Sequence, residues 1–277
     1  MAPYGAISAD KLFRLLGSSQ SPLIVDVRIA DDVAAHPFLI PGAFRRDHRQ
    51  IGEWAAQVAS TPTSVVVVCH QGRKLSEGVA AHLRLLGISA EVLEGGNSAW
   101  AAAGLPQVPI DRLGDGQGAG SSLWVTRNRP KIDRIACPWL IRRFIDPFAR
   151  FLFVASSEVE GVADRFNAVP FDMEGVFWSH RGDRCTFDTM LSEFQLETPA
   201  LLTLGEIVRG ADTNRLDLAP QAAGLLAVSL GLSRLYSSDL QQLEQGLLLY
   251  DAYYRWARDA MDEKHDWVTR GGRDGVK

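Results

Sequence analysis

Two hydrophobic periods alternate along the first hundred residues. Apolar runs with little polar interruption, LIVDVR at Leu23–Arg28 and VVVV at Val65–Val68, read as strands buried on both faces, since β-branched side chains suit the pleat. Helical spacing fills the intervals. Ser8 caps a helix over 9–16 that Gly17 stops, an acidic helix-prone patch covers 30–35, and 51–59 reads as a helix. Pro37 and LIPGA at 39–43 mark a turn and a short strand. A helix over 76–86 ends at Gly87, SAEVLEG forms another strand, and Gly95-Gly96 turn the chain into a last helix at 97–103. Strands alternating with helices at this spacing predict a parallel α/β sheet with right-handed crossovers.

The pattern changes at residue 107. QVPIDRLGDGQGAGSS, 107–122, has no periodic apolar content and reads as a flexible linker between a domain at 1–106 and a second at 123–264. LWVT and FLFVAS look like strands of that second domain. Between them Pro138 fits the first turn of a helix, PWLIRRFI, that Pro147 follows. Beyond Thr198 the periodicity is helical, so the second domain is expected to be an α-rich α+β unit. Tyr250, Tyr253, Tyr254 and Trp256 recur at helical spacing and read as packing. Residues 265–277 are charged and glycine-rich and are expected to be disordered.

Composition narrows the function classes. With 277 residues, 46% hydrophobic and 22% charged, two soluble globular domains are the expectation. A net charge of −4 offers nothing to nucleic acid or an anionic membrane, and neither is expected as a partner. No apolar run approaches the roughly 20 residues of a membrane span, and no basic-then-apolar leader opens the chain. Cys69, Cys137 and Cys185 are too few and scattered for a disulfide framework, which fits a reducing, cytoplasmic setting. The oligomeric state stays open.

The candidate chemistry of the first domain lies after the valine strand. A buried parallel strand delivers its next residue to the carboxyl edge of the sheet, where open α/β folds place ligands, and here that residue is Cys69. Gly72, Arg73 and Lys74 follow, then a helix start, a combination that favours a thiolate and nearby anions. The alternative is a small buried hydrophobe, the usual fate of a free cysteine.

LIVDVR, IPGA, CHQGRKLSEGVAAHLRLLG and LEGGNSAW, in this order, resemble the rhodanese-like sulfurtransferase domain over about residues 5–106. The resemblance implies that Cys69 takes a sulfane sulfur from a small donor as a persulfide and passes it to a thiol acceptor, with no cofactor. It implies a thiosulfate- or persulfide-type sulfurtransferase. Asp26 and Arg28 match that family's Asp-x-Arg and read as a structural pair orienting loops. The chain departs from the family's loop. Lys74 falls where the family has Arg and Leu75 where it has a hydroxyl, with Arg73 and Ser76 each displaced by one. Lysine offers a point charge in place of a guanidinium fork, so efficient use of thiosulfate is not expected, and a persulfide carrier or an oxidised-sulfur sensor fits the loop as well.

WVTRNRPKIDRIACPWLIRRFIDPFARFLFV, FWSHRGDRCTFDTML, IVRGAD and PQAAGLLAVSLGL resemble the C-terminal domain of chromate-resistance (ChrB-like) proteins over about residues 123–260. The resemblance implies chromate handling, and with it an alternative function: a chromate, oxyanion or redox sensor or accessory protein with little sulfur turnover. Arg127, Arg129, Lys131, Arg134, Arg142 and Arg143 put six cations within 17 positions, and guanidinium forks suit tetrahedral oxyanions. A solvated helix face is the other reading. His180, Asp183, Cys185, Asp188 and Asp212, with Asp133 as a further candidate, form a set able to hold a divalent transition metal, or else a hydrogen-bonded turn. The position of Arg209 is often histidine in the family the segment resembles, which weakens the metal reading.

Overall fold

The computed structural model describes residues 5–61, 63–113 and 121–263. Its first half is a five-stranded parallel sheet in the order β1 (Ala6–Ile7), β6 (Ala90–Leu93), β5 (Val65–Val68), β2 (Leu23–Asp26), β4 (Ala43–Arg45). Helix α2 (Ala30–Ala35) follows β2, and helices α1 (Ala9–Leu15), α3 (Ile51–Ala59), α4 (Lys74–Leu85) and α5 (Gly96–Ala102) pack against the sheet. The valine strand shows why it contains no polar residue. Val65, Val67 and Cys69 face a core with Trp54, Val58, Val79 and Leu83 from α3 and α4. Val66 and Val68 face the opposite core, with Leu12 and Trp100 from α1 and α5.

Part of the expected linker is ordered structure. Val108–Pro109 forms β7 and pairs antiparallel with β3 (Phe38–Leu39), the Ile110 N–H donates to Pro37 O at 3.0 Å, and Leu113 is buried. Residues 107–113 therefore fold onto the first domain. The rest of the linker at 114–120, and the tail at 265–277, lie outside the described residues.

The second half opens with a three-stranded parallel sheet, β10 (Val169–Pro170), β8 (Leu123–Arg127), β9 (Arg150–Val154). Helices then dominate: α7 (Val159–Phe166), α8 (Thr186–Glu193), α9 (Pro199–Asp212), α10 (Ala222–Leu235) and α11 (Asp239–Asp259). Helix α6 runs over Asp133–Leu140, so Pro138 sits inside it and not in its first turn. Cys137 is likewise inside the helix, away from its positive N-terminal end. The chain continues into a π-type turn at Ile141–Ile145. No helix among the described residues is long and apolar enough to cross a membrane.

The two halves share a core. One continuous apolar cluster runs from Leu12, Val66 and Trp100 to Trp124, Trp139 and Tyr254. Gly17 makes the closest approach: at φ +81°, a Cβ there would stand 2.2 Å from Tyr254 Cε1 and 2.8 Å from Phe144 Cζ. Polar contacts cross the seam as well. The Gly42 N–H donates to Phe144 O at 2.6 Å, Arg258 to Leu16 O at 3.0 Å, and the Ser19 N–H to Asp251 Oδ2 at 3.2 Å.

Candidate functional site

Cys69 lies at the carboxyl end of β5, 5% exposed. The Arg73 N–H points at its Sγ at 3.3 Å, and Ser76 Oγ stands 3.1 Å from the same sulfur while donating to Arg73 O at 3.0 Å. Ser76 therefore meets the sulfur from the first turn of α4, although the sequence places it one position past the family's hydroxyl. The helix begins at Lys74, two residues earlier than the sequence pattern suggests, and that brings Ser76 round to face the thiol. Arg73 and Lys74 are exposed; Arg73 contributes its backbone N–H to the sulfur.

Glycines fix this loop. Gly72 has φ +63°, and a Cβ on it would meet Leu93 O at 2.4 Å and the Gly96 and Gly95 nitrogens at 2.8 and 2.9 Å. The Gly95-Gly96 turn in return docks on the loop: the Asn97 N–H donates to Cys69 O and the Ser98 N–H to His70 O, both at 3.0 Å. Asp26 and Arg28 form a buried pair, with Arg28 also donating to His36 O at 3.0 Å and Phe38 O at 2.7 Å, so the pair ties β2 to the following loop.

At the carboxyl ends of β2 and β4 lies an open cleft of about 920 Å³, lined by Arg28, Arg45, Arg46, His48 and Arg49 among others. Cys69 is not among its lining residues, although β5 and β2 are hydrogen-bonded neighbours. The FRRDHR run is the sequence signal for this basic wall, and no family motif of the first domain includes it.

The six cations of the second domain do not gather into one pocket. Arg127 and Arg134 both pair with Asp172, at 3.1 and 3.3 Å. Arg129 donates to Ser233 and Tyr236 carbonyls, Arg142 pairs with Glu244 at 2.6 Å, and Arg143 with Asp251 at 2.8 Å. Lys131 is half-buried beside Ile135 and Tyr250. Sequence proximity gathers residues that the fold divides among separate acceptors.

The expected metal set also divides. Asp183 is exposed; Cys185 is buried at the start of α8; Asp188 accepts from the Cys185 N–H at 3.1 Å and pairs with Arg209 at 2.9 Å. These three do not join His180. Instead His180 Nε2 faces Asp133 Oδ2 at 3.5 Å, Asp172 Oδ1 at 3.5 Å and Asp212 Oδ2 at 3.3 Å. Nothing local in the sequence marks Asp172; the fold brings it in from the end of β10. The residue before Asp133, Ile132, is held at φ +38°, unusual for a β-branched side chain, at the turn into α6.

Electrostatics follow from this crowding. Facing Asp133, Asp172 and Asp212 pushes His180 up to about 12. Burial, then the Asp212 charge, pushes Asp133 up to about 7. Burial acts to raise Asp172 too, but His180 and the guanidinium groups of Arg134 and Arg127 outweigh it and hold that carboxyl below its ordinary value. Burial pushes the Cys137 and Cys185 thiols well up, so neither is a ready thiolate.

Comparisons with known proteins assign both halves. The family model of the Rhodanese-like domain matches residues 8–103, and that of ChrB, C-terminal domain, matches residues 124–257. Protein ChrB of Cupriavidus metallidurans is 36% identical over 132 residues, which cover 47% of this chain and 39% of that protein; the match thus spans well under half of this curated relative. Among solved structures, a rhodanese-related protein from Thermoplasma volcanium is 22% identical over 38% of this chain and 98% of that one, at a TM-score of 0.33. A rhodanese-like domain protein from Staphylococcus aureus is 31% identical over 34% of this chain and 89% of that one, at 0.29. The chain is a rhodanese-like domain joined to a ChrB C-terminal domain.

Proposed function

We propose that the first domain carries sulfane sulfur as a persulfide on Cys69, and that the chain does so in the service of chromate resistance. The observation that carries this reading is the Arg73 N–H donating to the Cys69 sulfur at 3.3 Å, with the Ser76 hydroxyl 3.1 Å from the same sulfur and able to turn its proton from Arg73 O onto an anion there. A thiol whose neighbours can donate to it suits an anion, either the thiolate or the terminal sulfur of a persulfide. The reaction needs no redox cofactor. The Cys69 thiol releases its proton to solvent, and its thiolate attacks the outer sulfur of a donor such as thiosulfate. The donor S–S bond breaks with its electron pair leaving on sulfite, and Cys69 holds a persulfide. An acceptor thiolate then takes the outer sulfur and returns the Cys69 thiolate.

The basic cleft at the same sheet edge suits an anionic donor, while the near-complete burial of Cys69 suits a carrier that exchanges with small molecules. The chromate context rests on the ChrB match of the second domain and the segments that resemble that family. Intact mass of the full chain after thiosulfate, 3-mercaptopyruvate or glutathione persulfide tests the reading. A gain of one sulfur atom with at least one donor, absent in Cys69→Ser, is expected. No gain with any donor, or the same gain in the serine variant, refutes it.

A further inference from the structure

The carboxylates around His180 are short of donors. A single imidazole Nε2 faces three of them at 3.3–3.5 Å, each beyond the length of a normal N–H···O bond, and one N–H can serve only one oxygen. Asp172 is provided for elsewhere, by Thr186 Oγ1 at 3.0 Å and by Arg127 and Arg134. Asp133 is not. It is 0% exposed; its Oδ2 takes the Thr186 N–H at 2.6 Å, and its Oδ1 has no hydrogen-bond partner at all. Buried carboxylate oxygens are nearly always paired or bound to a cation.

Geometry points to what is shared. One ligand atom each from Asp133, His180 and Asp212 lie within 4.8 Å of one another. Around a four-coordinate ion with bonds of roughly 2.0–2.2 Å, neighbouring ligand atoms stand about 3.3–3.6 Å apart. The separations from His180 Nε2, 3.5 Å to Asp133 Oδ2 and 3.3 Å to Asp212 Oδ2, fall in that range.

We infer that Asp133, His180 and Asp212 bind one divalent first-row transition ion of about the size of Zn²⁺, through one imidazole nitrogen and two carboxylate oxygens. Two carboxylates balance the dication, and an N,O set of this kind suits such an ion better than Mg²⁺ or Ca²⁺. The Thr186 N–H on Asp133 orients that ligand, and Arg127 and Arg134 keep the charge of Asp172 from adding to the site. The His180 side chain is 40% exposed and that of Asp212 21%, so solvent reaches the fourth position. Three protein ligands and a water-accessible fourth place describe a reactive centre more than a closed structural one. Cys185 and Asp188, engaged in the start of α8, take no part.

The test uses the full chain, purified without a polyhistidine tag, stripped with chelator and titrated with Zn²⁺ and then Co²⁺. About one equivalent should stay bound through gel filtration, and the Co²⁺ form should show ligand-field bands without thiolate-to-cobalt charge transfer. His180→Gln and Asp212→Asn, both at partly exposed positions, should each weaken Zn²⁺ binding by at least about 100-fold while a Cys69→Ser chain binds as before. Retention of less than about a tenth of an equivalent, a thiolate charge-transfer band, or unchanged affinity in both ligand variants overturns the assignment. If a variant does not fold, the stoichiometry and cobalt spectrum of the unaltered chain still decide.

Discussion

Replacing Gly72 by alanine should cost the protein both stability and sulfur loading, and the contacts around it set the size of the effect. An alanine held at φ +63° loses about 1–2 kcal/mol against glycine. Its Cβ would also meet Leu93 O at 2.4 Å and two backbone nitrogens within 2.9 Å, none of them a side chain that can swing aside. Relief requires the loop to retreat from the Gly95-Gly96 turn, an overpacking cost of about 1–3 kcal/mol. The sum, about 2–5 kcal/mol, corresponds to a fall in thermal midpoint of about 4–20 °C. A retreating loop also draws the Arg73 N–H away from Cys69 Sγ, and losing a hydrogen bond to an anion slows persulfide formation by about 10–100-fold. Gly78 provides the internal comparison. It lies in α4 with an ordinary φ, and a Cβ added there would have no neighbour within 4 Å, so Gly78→Ala should gain about 0.5–1 kcal/mol. Thermal unfolding and timed intact-mass measurements on both variants decide the matter. A Gly72→Ala chain as stable and as readily loaded as the unaltered protein would refute the packing argument.

Two other substitutions probe the site and the seam. Ser76→Ala removes the hydroxyl 3.1 Å from Cys69 Sγ and should slow persulfide formation by about 10–100-fold with a small change in melting; an unchanged rate would mean that the Arg73 N–H suffices. Asp251→Ala strands Arg143, the Trp139 Nε1–H and the Ser19 N–H together and should destabilise by about 3–5 kcal/mol in urea unfolding. A loss under about 1 kcal/mol would show that the seam rests on its apolar contacts alone.

The legible parts of this chain are those whose cause is local. Val65–Val68 announces a strand covered on both faces, and the same pattern places Cys69 at its end; Asp26 and Arg28, two positions apart, find each other without help from the rest of the fold. Pairings set by distant elements are hidden. Six cations within 17 positions read as one cluster because the acceptors of the five arginines, Asp172, Ser233, Glu244 and Asp251, come from segments 38 to more than 100 residues away. Similarly, the stretch from His180 to Asp188 offers Asp183, Cys185 and Asp188 as neighbours of the imidazole. The helix start at Cys185 turns Asp188 back onto its own cap, and the imidazole meets Asp133, Asp172 and Asp212 from three other elements. Ser76 is displaced for a simpler reason: counting positions from Cys69 ignores that a helix starting at Lys74 rotates its third residue toward the sulfur.

Two buried acids in the second half illustrate how donors separate architecture from chemistry. Asp251 has Trp139 Nε1–H and Arg143 Nε–H on Oδ1, both at 2.8 Å, and the Arg143 guanidinium and the Ser19 N–H on Oδ2 at 3.0 and 3.2 Å. Its charge is fully met, and by groups from both domains, so its work is to hold the seam. Asp133 is as deeply buried, yet one of its oxygens has no donor, and the other, which takes the Thr186 N–H at 2.6 Å, shares its imidazole neighbour with two more carboxylates. Folding stability does not favour such an arrangement, since a buried oxygen without a partner costs about 1–3 kcal/mol. Replacing Asp133 by an apolar residue would remove that cost but would take from the proposed cation site one of its three ligands beside His180 and Asp212. On the proposed reading the first domain brings a sulfur nucleophile and the second one imidazole and two carboxylates for a cation, and the shared apolar core from Val66 to Tyr254 makes the two domains parts of one body.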